Sequence, residues 1–118
     1  MLAFHQGWFW VAVVSTGSVG LWGLGLAVAR RQPDRAFGIA TGIALAAMLT
    51  QVASGLVLYA RGMRPGAGFH LFYGVVIVVT LAIAYVYRAP MRRRPALSYG
   101  LLLLFVMGLG LRAWAELP

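Results

Sequence analysis

The sequence predicts an all-α integral membrane protein, a four-helix bundle of two tandem αα-hairpins with both termini outside. Three observations predict it. Of 118 residues, 62% are hydrophobic and only 10% charged, far less polar surface than a soluble domain of this size needs. The apolar residues come in runs near twenty residues long, the length that crosses a hydrocarbon core of roughly 30 Å. The formal charge of +8 comes from ten Arg and no Lys against Asp34 and Glu116, and the arginines cluster in the short gaps between runs. A basic balance can mark a nucleic-acid partner, but charge placed this way is a topology signal, and the lipid bilayer is the partner it implies.

The first span runs from about residue 7 to 29 and stops at "RRQPDR". The second covers about 36–60 and stops at "RGMRPGAG", where Pro65 and two glycines break the helix. The third covers about 69–87 and ends at "RAPMRRRP", and the fourth covers about 96–115. Lipid offers the backbone no hydrogen-bond partners, so each span must be helical. Together the spans make one transmembrane domain, with no solvated domain left over.

Arg30, Arg31, Arg35, Arg88, Arg92, Arg93 and Arg94 occupy the first and third gaps, and Arg61, Arg64 and Arg112 lie on the other side. Seven against three puts the first and third gaps inside and both termini outside. Trp8, Trp10, Tyr59 and Trp114 fall near the outer interface and Tyr85 and Tyr87 near the inner one, which agrees with an aromatic belt. An arginine-only basic set with much Ala and Gly points to a GC-rich genome, and so to the inner (plasma) membrane of a bacterium as the location. The N-terminus has no basic region ahead of its apolar stretch and does not read as a cleavable signal.

In the second span Gly38, Gly42 and Ala46 recur every four residues, a small-residue stripe that lets another helix approach closely. Packing inside the chain is the expected use of it, and self-association into a homodimer is the alternative. The first span is also rich in small residues and is expected to face protein more than lipid.

Each half of the chain reads as Phe-His, a descending span, an Arg-Pro loop and a returning span. That relates the hairpins by a pseudo-twofold axis along the membrane normal, and places His5 and His70 on opposing helices at the same outer side. Two imidazoles from different helices can clamp a flat macrocycle. Arg61, Arg64 and Arg112 lie on the same side, where haem propionates would need cations. Gly74 lies one turn below His70, and Gly55 one turn beyond Gln51; glycine there lets a large ring approach the backbone. Tyr73 can donate to a cofactor or simply pack. Gln51, deep in its span, is expected to hydrogen-bond a neighbouring helix, with pocket lining as the alternative. Counted from the inner arginines, however, straight helices would separate the two histidines in depth by roughly 10 Å unless the first helix tilts. Paired ligands, one ligand or substrate-contacting histidine, and two simple interfacial residues therefore all stay open.

The run "TQVASGLVLYARGMRPGAGFHLFYG" resembles part of heme A synthase. That family shows Gln, then Ser-Gly or Leu-Gly one turn later, a short outer loop, and His opening the next helix. Gln51, Gly55 and His70 match this run, and His5 corresponds to the histidine that begins the preceding helix. The resemblance covers about residues 3–87. It departs one turn before the first histidine, where the family's carboxylate is replaced by Leu2. What it implies is a related haem-binding bundle, such as a small membrane cytochrome b carrying haem b between His5 and His70, and not an enzyme that oxidises a haem side chain.

The function expected is electron transfer or haem handling beside a larger respiratory membrane complex. The alternative is an accessory subunit of such a complex with no cofactor of its own. The chain has no cysteine, which excludes disulfides, iron–sulfur clusters and thiolate zinc sites. It has no acidic residue in any span, which argues against proton-coupled transport and against independent catalysis. Met48, Met63, Met91 and Met107 lie at different depths and read as core packing more than as copper ligands.

Overall fold

The computed structural model of the chain describes residues 2–62 and 68–115. The described residues form helices α1 (Leu2–Val28), α2 (Arg35–Ala60), α3 (Gly68–Val86), α4 (Arg88–Met91) and α5 (Pro95–Ala115). α1, α2 and α5 are long and apolar enough to cross a membrane, while the apolar stretch His70–Val86 is shorter. α4 is an addition to the four helices expected. It is a single turn inside the arginine-rich third gap, and it tolerates Pro90 because the first-turn N–H groups of a helix have no intrahelical acceptor.

The ends of the long helices follow local chemistry. α1 closes with Arg31 N–H bonded to Leu26 O at 2.9 Å and Arg30 N–H to Ala27 O at 3.1 Å. This is a Schellman cap, and its left-handed position is filled by Arg30 at φ 55°. α2 opens on Asp34, whose carboxylate accepts the Phe37 N–H at 3.0 Å. After Ala60 the chain leaves α2 through Gly62 at φ 88°, a conformation glycine adopts without steric cost.

α1 packs along its length against both α2 and α5, and α3 packs against α5, whereas α2 and α3 barely touch. Around the bundle the order is α2, α1, α5, α3, with an open seam between α2 and α3 and with α1 diagonally opposite α3. The tightest seam, α1 against α5, is zipped by glycine. A Cβ on Gly23 would lie 2.7 Å from Ala96 O and 2.9 Å from Gly100 Cα, and one on Gly100 would lie 3.0 Å from Leu24 N. A pseudo-twofold axis would make the α1–α5 and α2–α3 seams equivalent. They are not, because among the described residues no counterpart of this zipper joins α2 to α3.

The stripe expected to pack the bundle faces outward instead. Gly38, Gly42 and Ala46 are exposed, and a Cβ on either glycine would meet nothing within 4 Å. Helices that are apolar all round have no polar face to fix their rotation, so close backbone approach decides it, and that occurs at Gly20, Gly23 and Gly100.

Ala12, Met48, Ile77 and Val106, one from each long helix, form the central layer of the core. Elsewhere the distribution of residues is the reverse of a soluble protein's. Thr16, Thr41, Gln51 and Ser54 are buried, while Leu21 is 64% and Ile43 63% exposed. Small and polar residues inside with large apolar residues outside is the pattern of helices packed in an apolar solvent.

Candidate functional site

The first turns of α1 and α3 project His5 and His70 toward each other across the diagonal of the bundle. Their ring centres are 6.3 Å apart and their planes nearly perpendicular, at 85°. The depth gap expected between them is absent at the rings. From His5, α1 continues 23 residues to Val28, and from His70, α3 continues 16 to Val86. At 1.5 Å per residue the difference is about 10 Å. It is taken up at the opposite end, where α3 stops short and α4 carries the chain on to α5.

Hydrogen bonds fix the orientation and tautomer of both rings. His5 Nδ1 lies 2.7 Å from Ser54 Oγ, and the Ser54 hydroxyl donates its proton to Gln51 O at 2.8 Å. With that proton committed, Ser54 can only accept, so His5 carries its proton on Nδ1. His70 Nδ1 lies 2.7 Å from the carbonyl oxygen of Ala113, which also can only accept. Both imidazoles, when neutral, therefore present an unprotonated Nε2. Second-shell acceptors on metal-bound histidines impose this same tautomer.

Gly55 belongs to this arrangement. A Cβ there would lie 3.0 Å from His5 Cε1, so the missing side chain lets the ring settle against α2. Gly74 is different, because a Cβ there would meet nothing within 4 Å, and space is open beside α3 one turn below His70. Gln51 lies one turn from Ser54 and Gly55 on the face of α2 turned to His5. The Gln51 amide oxygen Oε1 is buried with no hydrogen-bond partner among the described residues. Arg112 Nε donates to the Tyr73 hydroxyl at 3.2 Å, which brings a cation beside α3 next to the residue that holds His70. Arg61 is exposed just past the end of α2. Arg64 lies outside the described residues.

Three contributors to the geometry were not among the candidate site residues. Ser54 bonds a carbonyl of its own helix, and this is what makes it an acceptor for His5. The Ala113 carbonyl is backbone and leaves no sequence signal. Trp8, assigned to the interface, sends its indole N–H to Ala47 O at 2.8 Å and ties the first turns of α1 to α2.

The donor set is two imidazoles, and among the described residues no further histidine or carboxylate joins them in a cluster of three or more. Metal–imidazole bonds of about 2.0–2.1 Å on opposite sides of one ion bring the ring centres roughly 6 Å apart. The 6.3 Å separation meets this requirement. Two axial nitrogens suffice for a metal that brings its own equatorial ligands, as haem iron does, and are too few for a tetrahedral structural site. The donor set suits such a group, and the open α2–α3 seam and the space at Gly74 lie along α3, which carries His70. Comparison with family models, with characterised proteins and with solved structures finds no match to this chain.

Proposed function

We propose that this chain is a haem-binding membrane protein that transfers electrons or handles haem, with His5 and His70 as axial ligands at the outer side of a four-span bundle. The observation that carries the reading is the pair of rings 6.3 Å apart, each held by its Nδ1 so that Nε2 is left for the iron. The excess of arginine at the opposite end supports an outer location for the site and both termini outside. The rarity of acidic and cysteine side chains supports a non-catalytic role, beside a larger respiratory complex in a bacterial inner membrane.

Each residue then has a defined task. Ser54 and the Ala113 carbonyl hold the imidazoles in the ligating tautomer. Gly55 sets how far His5 sits back against α2, and Gly74 leaves the space that a porphyrin edge needs. Tyr73, Arg112, Arg61 and Arg64 supply donors and positive charge for propionates. Gln51 offers a buried amide beside the His5 side of the pocket. A bound haem b would supply reversible one-electron chemistry.

The test is a visible spectrum of the purified protein, as isolated and after haem addition. A sharp reduced-minus-oxidised band is expected, lost in His70→Ala and in His5→Ala. A colourless protein that takes up no haem, copurifies with a large partner and is indifferent to His5→Ala is instead an accessory subunit.

A further inference from the structure

At the end opposite the histidines, α2 and the start of α5 part to leave a groove of about 400 Å³. Gly38 and Gly42 line it, and their missing side chains keep it open. Leu45 continues the lining along α2 toward the middle of the bundle, and Tyr99 and Arg92 line it from the α5 side and the preceding loop.

Thr41 also lines this groove. Its side chain is 6% exposed, and its Oγ1 has no hydrogen-bond partner among the described residues. Threonine within a helix normally bonds the carbonyl four residues back. Thr16 and Thr50 both do so, to Ala12 O at 2.7 Å and Ala46 O at 2.8 Å. Thr41 does not, and a buried hydroxyl without a partner is one that a ligand can satisfy.

The charge around the groove has one dominant sign. Arg92 lines it, and Arg30, Arg31, Arg35, Arg88, Arg93 and Arg94 belong to the same end. The single acidic lining residue, Asp34, is committed to capping α2 through the Phe37 N–H.

We propose that this groove binds one anionic phospholipid. The order of its lining reproduces the order of groups in that molecule. Arg92 takes the phosphate beside Gly38, the Thr41 hydroxyl donates to an ester carbonyl, and an acyl chain lies along Gly42 and Leu45. Basic recesses at the positively charged side of membrane helices are where anionic headgroups are held. A helix from a second copy would cover the glycines but would bring Arg92 no counter-charge, since the spans carry no acidic residue. The proposal uses none of the residues of the histidine site, so the two stand or fall separately.

Native mass spectrometry of the chain released from detergent, titrated with phosphatidylglycerol or phosphatidylcholine, tests it. Phosphatidylglycerol is expected to be retained about fivefold more than phosphatidylcholine, and Arg92→Gln to abolish that preference. Gly42→Leu, placed where a Cβ meets no atom within 4 Å, is expected to leave the helical circular dichroism unchanged and to cut retention of both lipids. Equal retention of the two lipids, or a preference that survives both substitutions, overturns the proposal. So does Arg92-dependent binding of inorganic phosphate alone, which would make this a free-anion site, or a dimer that Gly42→Leu dissociates, which would give the groove to a second copy.

Discussion

A hydroxyl proton decides the character of His5. Because Ser54 gives its proton to Gln51 O, it can only receive from His5 Nδ1, and the lone pair is left on Nε2. Ser54→Ala removes the acceptor, and loss of such a partner typically weakens metal binding 10–100-fold. A haem titration should show that loss while His70 stays held by its backbone carbonyl; unchanged affinity would mean that His5 is no ligand. The two glycines beside the histidines make a second comparison. Gly55→Ala sets a methyl 3.0 Å from His5 Cε1 and should displace the ring, whereas Gly74→Ala meets nothing within 4 Å. Haem retention should fall in the first and persist in the second, and equal effects would refute the distinction. His5, His70, Gly55 and Gln51 were legible from their aromatic and glycine neighbours. The role of Ser54 was not, since a serine whose hydroxyl bonds its own helix gives no sequence signal that its oxygen also accepts from a histidine.

Glycine sets the packing of whole elements here, but only where two backbones meet. A methyl on Gly23 would contact Ala96 O at 2.7 Å, a backbone atom that cannot rotate away, whereas one on Gly25 would meet nothing. Gly23→Ala should therefore destabilise by about 1–3 kcal/mol through overpacking. Gly25→Ala should be neutral or stabilising by up to about 1 kcal/mol through helix propensity. Thermal unfolding in detergent followed by circular dichroism separates them, and similar midpoints would contradict the α1–α5 zipper. The cap of α1 offers a change of opposite sign. Arg30 occupies a left-handed conformation, and Arg30→Gly should stabilise by about 1 kcal/mol in the same measurement. The runs of apolar residues made the long helices legible almost to their ends, yet not which glycines point inward. Rotation about an axis with no polar face leaves no periodicity to read, so the Gly38–Gly42–Ala46 stripe was misplaced, whereas the small residues of the first span face protein as expected at Gly17, Gly20 and Gly23.

At the scale of the whole molecule, sequence made the helical class legible through apolar run length. It did not reveal the asymmetry of the bundle, because apolar spans constrain their neighbours only through side-chain shape. The meeting of the two histidines was one of three readings the sequence left open. Counting residues from the arginines assumed level inner ends, and the chain places its level ends at the histidines. That offset bears on orientation. If the arginine-rich end is cytoplasmic, α1 reaches beyond α3 on that side, where the snorkelling cations Arg30 and Arg31 can hold its end at the interface. The absence of cysteine makes this directly measurable, since any introduced thiol is unique. Gln32→Cys and Ala89→Cys place exposed thiols at the arginine-rich end, and Ala60→Cys and Ala115→Cys place them at the histidine end. None of the four changes an arginine, so the charge asymmetry that orients the chain is preserved. A membrane-impermeant maleimide applied to intact cells should label Ala60→Cys and Ala115→Cys, and should reach Gln32→Cys and Ala89→Cys only after the membrane is opened. The reverse pattern would place the histidines inside and sink the proposed orientation, and labelling of Ala60→Cys and Ala115→Cys on opposite sides would sink the four-span topology itself.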